Sequence, residues 1–297
     1  MYKNEGLDKK KILVWLVAMM PWMVWAQEPV GSGYVVKHEF YTLSYVEQHE
    51  QPEWVYYMLT EAMVNGEAER GDDFRPDEAV KTGSADLSDY KGSGYDRGHL
   101  CPAADMKQSD KAMSETFFMS NMSPQVGAFN RGVWARLEEQ VRKWALEDDT
   151  LFVVTGPVFL KNVGVIGGNK VTVPGFYYKV LYSPKREQMQ AFLLPNRDGL
   201  KAKWATYAVS VDLLEWLTGV DFFAAMEDVA EAELECANDY EAWIGKKKGK
   251  VDAHKTSVQS GVAQQCKGIA KSTGQRCKSR TTNANGYCDA HQGQAPK

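Results

Sequence analysis

No stretch of this sequence reaches the twenty or so consecutive apolar residues that a membrane-spanning helix needs. The longest run, Ile12 to Trp25, has fourteen. It follows Lys9, Lys10 and Lys11 and leads into Ala26 and Gln27, the order of a basic n-region, an apolar h-region and a small-residue cleavage site. Residues 1–26 are therefore expected to act as an export signal, giving a periplasmic or secreted protein. An anchor that stays uncleaved in the membrane is the alternative. Internal repeats are absent, which excludes solenoid architectures, and so is any glycine-rich loop of the kind that cradles nucleotide phosphates. Cysteine is sparse. Of five, only Cys101 and Cys236 precede residue 246, and Cys101 is expected to be inert packing, with pairing to Cys236 as the alternative. At 297 residues the chain has room for one large core and a smaller accessory unit.

What is present is concentrated at Tyr95-Asp96-Arg97-Gly98-His99. An imidazole with a reference pKa of about 6.5 accepts a proton near neutrality. A guanidinium offers a planar fork of donors for phosphate oxygens, and a glycine lets the backbone turn between them. Such a tetrapeptide alone also describes an ordinary polar loop. Further along come Asn121, then Asn130-Arg131-Gly132-Val133-Trp134. Val133, Leu137, Val141 and Trp144 recur at three- and four-residue steps, so an amphipathic helix is expected from Val133 onward. On that helix Glu138 and Arg142 are neighbours, and Asn130 lies about 80° around from Glu138 at 3.6 residues per turn. An amide oxygen, a carboxylate and a guanidinium can then face one site.

Asp96-Arg97-Gly98-His99 followed by Asn121, Asn130, Trp134, Glu138 and Arg142 resembles the DNA/RNA non-specific endonucleases, which carry a ββα-metal (His-Me finger) active site. The resemblance continues through Tyr41-Thr42-Leu43-Ser44-Tyr45, Trp54 to Leu59, Thr155-Gly156-Pro157-Val158-Phe159 and Ala191 to Asn196, covering about residues 35 to 225. It implies that His99 takes a proton from the attacking water and that Asn130 is the direct protein ligand of Mg²⁺ (or Mn²⁺), whose other positions are waters. It implies further that Glu138 orients a metal-bound water, that Arg97 and Arg142 stabilise charge on the phosphate, and that Asn121 fixes the geometry around His99. Relatives also use an arginine from the loop before the motif, which Arg70 or Arg75 could match.

Around the motif, the pattern predicts a strand at Tyr41–Tyr45, a helix from about Pro52 to Met63, and a polar loop from Arg70 to Pro76. A buried strand is expected over Leu151 to Thr155, ended by Gly156-Pro157, with two more at Phe176–Tyr182 and Met189–Leu194. Helices are expected at Lys201–Thr206, Val209–Leu217 and Ala224–Ile244. Trp134, Trp144, Trp204, Trp216 and Trp243 read as core anchors. The fold class is α+β: a mixed, mostly antiparallel sheet flanked by helices, carrying the ββα-metal site over residues 27–245.

The tail differs in kind. Residues 246–265 form a polar linker opening on Lys246, Lys247, Lys248 and Lys250. Residues 266–297 contain Cys266, Cys277, Cys288 and His291, a donor set suited to a closed tetrahedral Zn²⁺ site, and about 30 residues have too little core to fold unaided. Disulfides are the competing reading. Four protein ligands would leave such a zinc no open position, which argues against a catalytic role. Charge divides along the same boundary: residues 246–297 carry +9, the leader +2, and the remaining body −15 of an overall −4. An acidic body is poorly suited to a polyanion, so a local patch at Arg97, Arg131, Arg136 and Arg142, helped by the tail, is expected to attract phosphates. The whole is expected to be a metal-dependent endonuclease acting on DNA and RNA and leaving 5′-phosphates. An exported nucleic-acid-binding protein with a vestigial site is the alternative.

Overall fold

Along the central strands, apolar side chains alternate between two buried faces. In β3 (Gln51–Thr60), Val55, Tyr57 and Leu59 enter one core while Trp54 and Tyr56 enter the other. β6 (Thr150–Val158) divides in the same way, with Val153 against Phe152 and Val154, and β9 (Phe176–Ser183) sends Tyr177 and Leu181 one way and Tyr178 and Val180 the other. In the computed structural model these strands form the middle of a seven-stranded sheet. Its order is β1 (Tyr34–Lys37), β2 (Thr42–Val46), β3, β6, β9, β10 (Gln188–Pro195) and β11 (Ala208–Val209), antiparallel at every pairing. The structure describes residues 28–161, 163–224, 226, 234–235, 243, 264–269, 275–278, 280–281, 285–288, 291 and 294.

One face is covered by the helix Ala135–Asp148, called the site helix below. Its expected stripe is buried in full: Val133, Leu137, Val141 and Trp144 are each no more than 2% exposed. The opposite face is covered by the helix Val211–Thr218, capped by Ser210 Oγ accepting from the Leu213 amide and ended at Gly219 with a left-handed φ of 73°. Burying each large apolar side chain stabilises the fold by about 1.5–3 kcal/mol, so the two interfaces hold the α+β architecture together.

Several local expectations give way. Pro52 to Met63 is not helical: β3 runs to Thr60, and only Glu61–Val64 makes a single turn. Because β3 is covered on both faces, its sequence shows no polar alternation, and a continuous apolar run does not distinguish strand from buried helix. Gly156-Pro157 does not end β6, which continues to Val158. At Gly156 a Cβ would lie 2.2 Å from the Glu53 carbonyl oxygen, so the glycine is there for close packing. Lys201–Thr206 yields only a 3₁₀ turn at Trp204–Tyr207. Trp216 is 45% exposed and belongs to no buried cluster of the described residues, whereas Trp134, Trp144 and Trp243 are buried. Most of Ala224–Ile244 lies outside the described residues, as do the leader and Cys236. Among the described residues no helix is long and apolar enough to cross a membrane.

Candidate active site

The motif strand β4 (Asp96–His99) pairs antiparallel with β5 (Met122–Gln125), opposing His99 to Met122 and Gly98 to Ser123. Gly98 leaves room for a neighbour here, since a Cβ would meet the buried Gln125 side chain at 2.1 Å. The pair is bolted to the main sheet through β5. The Pro124 carbonyl accepts from Tyr177 Oη at 2.8 Å and from Asn196 Nδ2 at 3.0 Å, and Asn196 Oδ1 accepts from the Val126 amide at 2.8 Å. The chain then enters a helical turn, Gly127–Phe129, and a π-type turn, Asn130–Trp134, kinked at Gly132 where φ and ψ are −106° and −114°. The site helix follows. Asn130 is thus delivered at a kink, where π-bulges commonly mark function, and not from a straight helix face.

Asp96 organises this junction. Its Oδ2 accepts from Asn130 Nδ2 at 3.0 Å and also receives Arg131 Nη1. With its nitrogen tied down, Asn130 has its carbonyl oxygen Oδ1 without a hydrogen bond among the described residues. A hard oxygen donor in that state fits a Mg²⁺ that keeps most of its waters.

His99 is half-buried, and its Nε2 is enclosed with no partner among the described residues. Burial first, then the Arg70 and Arg97 charges, push its pKa down to about 3, so the ring is neutral at any working pH. The physiological titration expected from the reference value is therefore lost. The imidazole is a weaker base than supposed, but one that is always available. Nδ1 likewise makes no hydrogen bond among the described residues. An open cleft of about 640 Å³ lies alongside, lined by Arg70, Lys91, Arg97 and Arg131 with Asp96, Asn130 and Phe74. The two loop arginines are placed differently. Arg75 is spent on Asp73 and the Ser114 carbonyl and covers Phe118, whereas Arg70 lines the cleft.

The other expected residues are placed differently. Asn121 is fully buried and makes no side-chain hydrogen bond to His99. Its Oδ1 accepts from the Cys101 amide at 2.8 Å, and its Nδ2 donates to the Cys101 and Thr116 carbonyls at 2.9 and 2.8 Å. It clamps the loop that leaves β4, so it positions and does not react. Arg142 is committed to Asp105 Oδ1 at 2.8 Å with its side chain 20% exposed, and it does not line the cleft. Arg136, also counted in the basic patch, donates to the Ala202 carbonyl. Glu138 is half-buried. Burial pushes its pKa up to about 7 with Asp105 adding, against the pull of Lys179 and Arg142. Lys179 is the residue the sequence concealed: a lysine on the sheet face beneath the site helix, 1% exposed, bonded to Thr155 Oγ1 at 2.6 Å and 5.1 Å from the Trp134 ring centroid. Nothing in a strand pattern flags a charge at a core position. Cys101 is a free, buried thiol, raised by its burial.

In the tail, the donor atoms of Cys266, Cys277, Cys288 and His291 all lie within 4.8 Å of one another, and all four residues are buried. His291 Nδ1 is 3.6 Å from Cys266 Sγ and 3.1 Å from Cys288 Sγ. Ligands on a tetrahedral zinc stand about 3.6–3.8 Å apart, given bonds of about 2.1 and 2.3 Å. The Gly268 and Cys288 amides donate to Cys266 Sγ at 3.3 and 3.2 Å. Among the described residues none of the three sulfurs is in a disulfide.

Topology sets the class: a strand pair whose first member ends in the histidine and whose second leads into the helix with the amide is the ββα nuclease arrangement. Over residues 27–229 the chain matches the model of the DNA/RNA non-specific endonucleases, and it belongs to that enzyme family. It is 36% identical over 221 residues to a nuclease of Nostoc sp., covering 70% of this chain and 80% of that protein. It is 33% identical over 218 residues to human mitochondrial nuclease EXOG, covering 67% of this chain and 59% of that one. The solved EndoG/EndoGI complex aligns with a TM-score of 0.61 and 32% identity over 66% of this chain and 88% of the other. The match thus spans most of the Nostoc protein but only about three fifths of EXOG.

Proposed function

We propose that this protein is a Mg²⁺-dependent endonuclease, able to use Mn²⁺, that hydrolyses DNA and RNA with little sequence preference and leaves 5′-phosphates. One observation carries the reading: an amide whose nitrogen is already tied and two guanidiniums without an ion pair among the described residues line one cleft, and a neutral imidazole adjoins it, 5.7 Å from the ring of the cleft residue Phe74. Water attacks phosphorus, His99 Nδ1 takes its proton, and Arg70 and Arg97 donate to the non-bridging oxygens as charge builds. The 3′-oxygen departs and the phosphate stays on the 5′ end. Asn130 would hold the Mg²⁺, with Glu138 serving its water shell; when bound, the ion polarises the phosphate and stabilises the departing oxygen. Cations on phosphates position a strand without reading its bases, which suits a lack of sequence preference. Supercoiled plasmid incubated with the mature protein should be nicked with Mg²⁺ and spared with EDTA, and its ends should ligate without kinase treatment. Binding without nicking would leave the binding-protein reading instead. Replacing His99 by Ala should lower turnover about 10²- to 10⁴-fold while binding survives. Export follows in this reading from residues 1–26, and secretion of a fusion to that leader tests it.

The same reading extends to the tail. Residues 266–297 bind a structural Zn²⁺, supported by four buried Cys3His donors that lie within 4.8 Å of one another. Elemental analysis should find about one zinc per chain, and Cys277→Ser should lose it without changing the nicking rate. Zinc-free protein with an intact tail would refute this.

A further inference from the structure

The three groups that face the phosphate in the reading above share one property. Among the described residues, His99, Arg70 and Arg97 make no hydrogen bond or ion pair with the protein. Other arginines nearby are tied, Arg75 to Asp73, Arg131 to Asp96 and Arg142 to Asp105. The three untied groups rest instead on two aromatic rings. Arg97 Cζ lies 3.9 Å from the Phe74 centroid, and Arg70 Cζ lies 5.2 Å from that of Phe117. The rings meet edge-on at 5.0 Å and 84°, and His99 meets Phe117 edge-on at 5.0 Å and 89°. Phe117 is fully buried in a small core with Ala103 and Met113; Phe74 is half-buried and lines the cleft.

We propose that Phe74, seated on Phe117, is a positioning residue for phosphodiester cleavage: its face fixes the plane of the Arg97 guanidinium beside His99. A carboxylate partner would fix Arg97 equally well but would cancel its charge and occupy its donors. A ring face holds the flat cation by its π density and leaves every N–H pointing outward for phosphate oxygens. The aromatic wedge thereby reconciles two demands that ordinary hydrogen-bonded positioning sets against each other, a fixed guanidinium and an unspent one. This inference rests on the nuclease reading above.

A double-mutant cycle on the full-length protein tests it. Phe74→Leu keeps apolar volume and removes the face. It should lower kcat about tenfold, the scale of a partly desolvated cation–π interaction, with the thermal midpoint little changed. In the Arg97→Ala background the same substitution should cost less than about twofold. Phe74→Tyr should keep full activity in either case. Equal losses in both backgrounds, or no loss in the first, would overturn the proposal. Should the leucine variant fail to fold, Phe74→Trp reads the same interaction: retained activity supports it, and a tenfold loss in a folded protein refutes it. A wild-type protein that never nicks plasmid would instead refute the nuclease reading itself.

Discussion

His99 and Glu138 sit in surroundings that move their pKa values in opposite directions, to about 3 and about 7. The imidazole loses its accepting form only as pH falls through the lower value. The carboxylate gains its charge only as pH rises through the higher one. Single-turnover cleavage should therefore climb between about pH 5.5 and 8.5 on Glu138, and the midpoint should slide to lower pH as added Mg²⁺ favours the ionised form. A rate independent of pH over that range would contradict the assignment. Asp96 invites a second test: Asp96→Ala frees the Asn130 amide, and losing such an orienting partner should raise the Mg²⁺ requirement about 10- to 100-fold, read from activity against metal concentration. How legible these residues were depended on what each one bonds to. Asp96, Arg97, His99 and Asn130 stood out because a short motif and one helix delivered them together. Arg70 and Arg75 lie five apart in one loop, and only tertiary bonds to Asp73, Ser114 and Phe118 remove Arg75 from contention. Arg142 matched by spacing, yet Asp105, from a separate segment, had already claimed it.

At the level of elements, the β4–β5 pair is held at a fixed spacing by the missing side chain at residue 98. Gly98→Ala would drive a methyl into Gln125 and cost about 1–3 kcal/mol of overpacking. In a body of this size each kcal/mol lowers Tm by about 2–4 °C, so calorimetry should detect it, and trimming the neighbour in Gly98→Ala/Gln125→Ala should restore part of the deficit. A single mutant as stable as wild type would show the strand pair to be more yielding than it looks. The site helix was readable from its 3.6-residue stripe because one of its faces remains wet. β3 was not, because both of its faces are dry and Trp54 to Leu59 is apolar throughout. The kink at Gly132 had no pattern to announce it, since a π-turn changes register by a single residue.

For the whole molecule, the division between a −15 body and a +9 tail predicts how the protein meets a polyanion. Truncation after Gly245 should weaken DNA binding at low salt and flatten log affinity against log salt, by about 0.9 for each phosphate the tail had neutralised, while cleavage at saturating substrate stays nearly the same. Superimposable slopes would deny the tail any part in substrate capture. That cut must fall after residue 243. The Trp243 indole meets Trp144 edge-on at 5.7 Å, Arg186 covers its ring at 5.3 Å and bonds its carbonyl, and the same Arg186 grips Asp148 at the end of the site helix. Family likeness stops at 229, fourteen residues too early. A gene trimmed to that likeness would encode a nuclease with an open seam behind its working helix. Removing one such indole costs about 3–5 kcal/mol, roughly ten degrees of Tm. The folding unit is therefore longer than the stretch that matches the family as a whole, and an expression boundary placed at residue 229 would cut through the wall that keeps Trp144 dry.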